Sequence, residues 1–161
     1  MSAHADWKAH DVYLLNGAEP PIVVPAQYQL VTETWARVVA VPYIVYMPER
    51  DRVLMLVSCD YPHQAMVLSS DDCGATWSAP AYVHVGGDGK PDIGMGIGLT
   101  YLGGGKVILT AGRRWSSADF GATWTDFGTV PLLPDGKNWN GWDPLFVDRD
   151  AKTSAVLRLI E

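Results

Sequence analysis

Two aspartates hold the same position in a repeated motif and are the first candidates for chemistry. Asp72 lies in Ser-Asp-Asp-Cys-Gly-Ala-Thr-Trp and Asp119 in Ser-Ala-Asp-Phe-Gly-Ala-Thr-Trp, with six of eight positions identical. Carboxylates can bind calcium or act in catalysis, but a calcium cage needs several oxygen ligands converging on one loop. Each copy offers one repeated aspartate. Because a residue that recurs in each copy does not mark a single active site, we predict a structural role.

The remaining motif residues are typical of a tight turn between strands. Glycine supplies a backbone position with positive φ, and aspartate accepts hydrogen bonds from turn amides. The tryptophan is expected to bury a large surface against a neighbouring sheet. The predicted structural residues are Ser70, Asp72, Gly74, Thr76 and Trp77 in the first copy, and Ser117, Asp119, Gly121, Thr123 and Trp124 in the second.

Short apolar runs flank both copies of the motif and define a repeat. Residues 41–46 and 53–59 precede the first copy, residues 97–102 and 107–111 precede the second, and residues 142–147 and 155–160 begin a third. The runs are too short and too rich in β-branched and aromatic residues for helices. A repeat of about 47 residues, built from strands, predicts an all-β protein with four-stranded antiparallel blades, as in a β-propeller.

Composition excludes several classes of partner. The chain has 161 residues, 12 basic against 18 acidic side chains, and no basic block, so we expect no binding to nucleic acid. No apolar run is long enough to span a membrane. The start of the chain lacks the pattern of a signal peptide. We therefore expect a cytoplasmic protein by default, with secretion left open if the sequence is part of a longer chain.

The histidines and the glycine-rich stretches do not match known metal- or cofactor-binding motifs. The histidines show no metal-ligand spacing. The glycine-rich stretch 94–99 ends in Leu99 where a dinucleotide-binding motif needs glycine, and Gly89-Lys90-Pro91 lacks the Ser or Thr of a P-loop. We predict neither a metal nor a cofactor.

The motif Ser-x-Asp-x-Gly-x-Thr-Trp resembles the Asp-box, or bacterial neuraminidase repeat, of the sialidase superfamily. The resemblance covers residues 37–161, and the opening of the third unit, Trp142 to Asp148, is similar to the start of a sialidase blade. It implies a six-bladed propeller whose boxes lie away from the active face. It also implies a glycoside hydrolase that acts on glycans.

The repeat spacing divides the chain. We assign residues 1–36 to an N-terminal extension, a candidate closing strand, and residues 37–92, 93–139 and 140–161 to two blades and a truncated third. At the same spacing a third box tryptophan would fall about ten residues beyond Glu161, so we expect part of the ring to be missing. Open blade edges can recruit strands, which makes a homo-oligomer an alternative way to complete the ring.

The resemblance also suggests candidate site residues. The first arginine of the family aligns with Ala40, and the nearest arginine, Arg37, would point to the opposite face of a regular strand unless the strand bulges there. Asp60, with Pro62 two residues on, matches the acid/base aspartate, and its alternative role is a hairpin cap. Arg114 is a second candidate for substrate binding, in an Arg113-Arg114 pair whose members should point to opposite faces.

The other catalytic residues of the family, a tyrosine nucleophile with its glutamate and two further arginines, belong to later blades. We therefore expect a sialidase-like homologue, directed at glycans, that does not cleave sialic acid as this chain. The alternative is a non-catalytic Asp-box propeller that binds glycans or proteins or serves in assembly.

Overall fold

The computed structural model describes residues 8–14, 22–28, 31–32, 35–37, 39–59, 62–129, 132, 134–137, 146–147 and 154–155. The chain separates into two compact parts, Met1–Trp35 and Ala36–Glu161. In the first part, β1 (Lys8–Leu14) pairs antiparallel with β2 (Ile22–Tyr28). The second part carries both copies of the motif and is described below.

The first sheet is a four-stranded antiparallel meander. It contains β3 (Val39–Met47), β4 (Arg52–Cys59), β5 (Gln64–Ser70) and β6 (Ala81–Tyr82), in the spatial order β3-β4-β5-β6. A 3₁₀ turn, Pro48–Arg50, joins β3 to β4. The strand-forming runs are rich in apolar residues, among which Val, Ile and Tyr favour extended backbone.

The second sheet repeats this arrangement. It contains β7 (Gly98–Gly103), β8 (Lys106–Ala111), β9 (Arg113–Ser117) and β10 (Thr125–Gly128), in the order β7-β8-β9-β10. A third pair, β11 (Phe146–Val147) with β12 (Ser154–Ala155), begins the next copy. Strand β7 lies beside β3, and β11 lies beside β7. The first strands of successive copies are therefore neighbours.

The two sheets pack face to face around an apolar core. Since side chains alternate along a strand, Leu54 and Leu56 of β4 point towards the second sheet, while Leu99 and Leu109 point back towards the first. These leucines are almost completely buried. Glycines allow close contact: a Cβ added at Gly96 would lie 2.8 Å from Leu56.

Each sheet has two ends with different connections between the strands. We call the end where β4 joins β5 and β8 joins β9 the connection end, and the end where β5 and β9 enter the repeated motif the box end. Strand β5 separates them by seven residues, or about 20 Å at roughly 3.3 Å per residue. Side chains at the connection end and at the box end of the first sheet are therefore too far apart to contact the same small molecule.

These features confirm the predicted all-β class and the four-stranded antiparallel sheets. No closed ring of sheets is present among the described residues, so the propeller remains a prediction. Within the same residues, no helix has the length and apolar character needed to cross a membrane. The two cysteines are free thiols, with Cys59 buried and Cys73 exposed.

Candidate functional site

The two motif copies, residues 70–77 (the first box) and 117–124 (the second box), form the same turn. Each follows the third strand of its sheet and precedes the fourth. Cys73 and Gly74 have φ of 55° and 91°, and Phe120 and Gly121 have φ of 63° and 83°. The chain therefore reverses through two successive left-handed residues, the second of which is glycine, for which this conformation carries no steric penalty.

One serine and one aspartate organise each box. In the first, Ser70 Oγ donates to Asp72 Oδ1 at 2.7 Å and accepts from the Gly74 amide at 2.8 Å. Asp72 accepts from the amide of Thr76 at 2.8 Å and from its hydroxyl at 2.6 Å. Every one of these bonds recurs in the second box within 0.1 Å, between Ser117, Asp119, Gly121 and Thr123.

These hydrogen bonds hold both aspartates in the ionised form. The hydroxyl and amide of Thr76, with Ser70, lower the pKa of Asp72 to about 2. Burial opposes ionisation of Asp119, but hydrogen bonds from Thr123 and Ser117 outweigh it, and its pKa is also lowered. The oxygens of both carboxylates are thus engaged within their own turns, as the predicted structural role requires. Within the described residues, no three His, Cys, Asp or Glu side chains form a metal-binding group.

The second box also packs against the first sheet. A Cβ added at Gly121 would lie 2.6 Å from Leu54, and the guanidinium carbon of Arg50 lies 4.3 Å from the centre of the Phe120 ring. Trp124 packs against the core between the sheets, and Trp77 is half-buried. Thus the second box joins two sheets as well as two strands.

The connection end of the first sheet brings together three residues, Arg37, Pro62 and Gln64, which we call the Arg37 cluster. Arg37 lies in a bend before β3, and its guanidinium donates to the side-chain oxygen of Gln64 and, at 2.6 Å, to the carbonyl oxygen of Pro62. His63 Nδ1 lies 3.4 Å from the carbonyl oxygen of Cys59. These contacts attach the connection between β4 and β5 to the segment that enters the sheet.

Strand alternation does not decide the direction of Arg37, because β3 begins two residues later. The strand does contain a bulge, but after Ala40: Ala40 pairs with Ser58 and Tyr43 with Leu56, and Val41 has φ of 55°. Ala40, which aligns with the family's first arginine, is exposed. Asp60, the candidate acid/base residue, lies outside the described residues, so its role remains a prediction.

The two adjacent arginines of β9 lie at the connection end of the second sheet and have different environments. Arg113 forms an exposed ion pair with Asp126 at 2.6 Å. Arg114 is half-buried, and its guanidinium carbon lies 5.1 Å from the centre of the Phe127 ring. Its buried Nε has no hydrogen-bond partner among the described residues. Strand β9 lies between β8 and β10, so the pair is not on an edge strand. The substrate-binding role of Arg114 remains a prediction.

Contacts between distant residues had no signal in the sequence. Glu49, in the 3₁₀ turn, accepts hydrogen bonds from the Tyr101 hydroxyl and, at 3.0 Å, from the Gly104 amide. The bond from Tyr101 is the main cause of the lowered pKa of Glu49. His84 Nδ1 lies 2.7 Å from Asp92 Oδ1, and the His84 ring lies 4.9 Å from that of Trp115. Neither pairing follows from a motif or a spacing.

Comparisons of the chain with family models, with curated proteins and with solved structures each give no match. The interpretation of function therefore rests on the repeated boxes and on the Arg37 cluster.

Proposed function

We propose that this protein is a sialidase-like homologue that recognises acidic sugars without cleaving them. The main supporting observation is the Arg37 cluster, in which an arginine lies at the end of the first sheet from which the Asp60 connection leaves. The boxes lie at the opposite end and engage their own aspartates. The cluster, and not the repeated motif, is therefore the candidate ligand site.

An arginine suits this role because its planar guanidinium matches a carboxylate with two parallel N–H donors. Asp60, if it lies near a bound sugar, would supply a carboxyl group for proton transfer or for hydrogen bonding to hydroxyls. Retaining glycoside hydrolysis also requires a nucleophile on the other face of the sugar. We assign no nucleophile among the residues of this chain, and the proposal is therefore one of binding.

A titration with sialyllactose tests this proposal, with lactose as the neutral control. We expect the wild type to bind sialyllactose and not lactose, and Arg37→Gln to weaken binding about tenfold or more, since hydrogen bonds to charged groups contribute about 1.5–3 kcal/mol. Arg113→Gln is the matched control, because it removes an exposed arginine at the connection end of the other sheet. Equal binding of both sugars, or no effect of Arg37→Gln, would overturn the proposal.

A fluorogenic sialoside tests the absence of cleavage. We expect no release of the fluorophore by the wild type. Turnover that disappears in Asp60→Asn would show instead that the chain is a catalyst and that Asp60 serves as its acid/base residue.

A second candidate function, assembly through an Asp-box sheet, is favoured by one observation. Ile44 and Tyr46, two residues apart on one face of β3, are 59% and 50% exposed, and neighbouring exposed apolar side chains are candidates for an interaction surface. Sedimentation at micromolar concentration tests it. A dimer that Ile44→Asp converts to a monomer would support assembly, and a wild-type monomer would exclude self-association.

A further inference from the structure

Gln64 is the first residue of β5 and pairs with Cys59, the last residue of β4. This last pair of the hairpin lies next to the connection that carries Asp60. The Gln64 side chain is half-buried, in contrast with the four buried residues that directly follow it in the strand. Its position is therefore suited to influence the Arg37 cluster and not the core.

Gln64 and Pro62 together constrain the arginine. Nη1 of Arg37 donates to the side-chain oxygen of Gln64, and Nη2 donates to the carbonyl oxygen of Pro62 at 2.6 Å. Because the guanidinium is planar, two acceptors on two of its nitrogens fix its orientation.

Of the two four-stranded sheets among the described residues, the first has this arrangement and the second does not. In the second sheet the hairpin ends at the pair Ala111 and Arg113, with Gly112 as the whole connection. The first hairpin continues for two further pairs and four connecting residues. Whereas the box residues recur because both sheets need the same turn, Gln64 has no counterpart that a shared structural need would explain.

We propose that Gln64 is a positioning residue that holds Arg37 ready for the carboxylate of an acidic sugar. This inference rests on the proposed function. Preorganisation improves affinity because the side chain is ordered before the ligand arrives. The acceptor oxygen is the essential feature, so methionine, which has a similar shape but no oxygen, should release Arg37, and glutamate should hold it.

Side-chain NMR of the ligand-free protein tests the positioning directly. In the wild type we expect restricted rotation of the Arg37 guanidinium, with separate Nη proton signals. Gln64→Met should merge these signals, and Gln64→Glu should keep them apart. The Arg113 signals, held by Asp126, are the internal control and should not change. Unchanged Arg37 signals in Gln64→Met would overturn the proposal.

Sialyllactose titration of the same variants separates positioning from charge. Gln64→Met should weaken binding about three- to tenfold by disordering Arg37. Gln64→Glu should also weaken it, although Arg37 stays ordered, because the added carboxylate repels the ligand. Full affinity in Gln64→Met, with Arg37 disordered, would contradict the role of Gln64. If the wild type shows an ordered Arg37 but binds no acidic sugar, the proposed function is wrong. The role of Gln64 in ligand binding is then wrong as well, but its role in ordering the Arg37 side chain still holds.

Discussion

The two sheets share strand order and turn geometry but differ in what covers equivalent positions. Aligned through the paired strands, Ile44 of β3 corresponds to Leu99 of β7. Leu99 is 2% exposed because the first sheet covers it, whereas Ile44 is 59% exposed. The same repeat position is therefore core in one copy and surface in the other. Its burial depends on the neighbouring sheet and not on its own.

A second difference concerns the turn that joins the sheets. Tyr101 donates to Glu49 of the preceding copy, while its counterpart Tyr46 donates at 2.6 Å to Asp51, in its own hairpin. Phe120 of the second box contacts Arg50, and its counterpart in the first box is the exposed Cys73. Contacts that join copies in the second sheet are replaced in the first by local ones.

The largest effect is expected at the buried member of the first pair. Leu99→Ala should lower the free energy of unfolding by about 2–5 kcal/mol, because it leaves a cavity between the sheets. Ile44→Ala should cost less than about 1 kcal/mol, because most of its surface is already in water. Urea unfolding of both variants measures the difference. Equal losses of unfolding free energy in the two variants would show that Leu99 and Ile44 are buried to the same extent, contrary to this prediction.

The box glycines provide a matched pair with the same backbone. Alanine at Gly74 should cost about 1–2 kcal/mol, since φ is positive there but the nearest side-chain atom is 3.6 Å from an added Cβ. Alanine at Gly121 should cost about 1–3 kcal/mol more, because its Cβ would overlap Leu54, which is 1% exposed.

Unfolding midpoints of the two glycine variants check this prediction. The double variant Gly121→Ala with Leu54→Ala is the control, and it should recover part of the additional loss. Indistinguishable effects of the two single substitutions would contradict the packing of the second box on the first sheet.

Loss of the hydroxyl of Tyr101, which contacts the preceding copy, should lower stability more than loss of the hydroxyl of Tyr46, whose contact is local. Tyr101→Phe should cost about 1 kcal/mol, because it removes the donor to Glu49 and the acceptor for the Gly105 amide. Tyr46→Phe should leave the unfolding midpoint almost unchanged, because its bond to Asp51 is exposed. A larger loss of stability in Tyr46→Phe than in Tyr101→Phe would contradict the conclusion that the Tyr101 contact with Glu49 joins the two copies.

The smallest expected effect is the acid dependence that the boxes share. The pKa of Asp72 falls from 3.8 to about 2 on folding, so its stabilisation is complete above about pH 4 and is lost as the pH falls towards 2. Asp72→Asn should flatten the decline in unfolding midpoint over this range, and Asp119→Asn should act in the same direction. An unchanged acid profile in both variants would exclude the boxes as its cause.

The sequence predicted the regular parts of the molecule and the turns within them. Short β-branched runs and a repeat of about 47 residues were sufficient for the strands. The positive φ of Gly74 follows from the residue type and its turn context. These features are local, because propensity and turn chemistry act over a few neighbouring residues.

Contacts across the repeat could not be predicted in this way. Glu49 and Tyr101 are 52 residues apart, and nothing in either residue's neighbourhood specifies the other. The Arg37 cluster illustrates a different difficulty. The resemblance aligns the family's first arginine with Ala40, and side-chain alternation predicts directions only within a strand. Arg37 lies in a bend before the strand, where alternation does not apply. The second sheet, with its one-residue connection, offered no equivalent that could have identified Gln64 in advance.

We expect the boxes to be structural and ligand recognition to lie at the connection end of the first sheet. Backbone amide NMR of the chain during titration with sialyllactose tests this most directly. We predict chemical-shift changes around Arg37, His63 and Gln64, with the amides of Gly74, Thr76, Gly121 and Thr123 unchanged. Changes centred on either box, or none at the Arg37 cluster, would contradict the account.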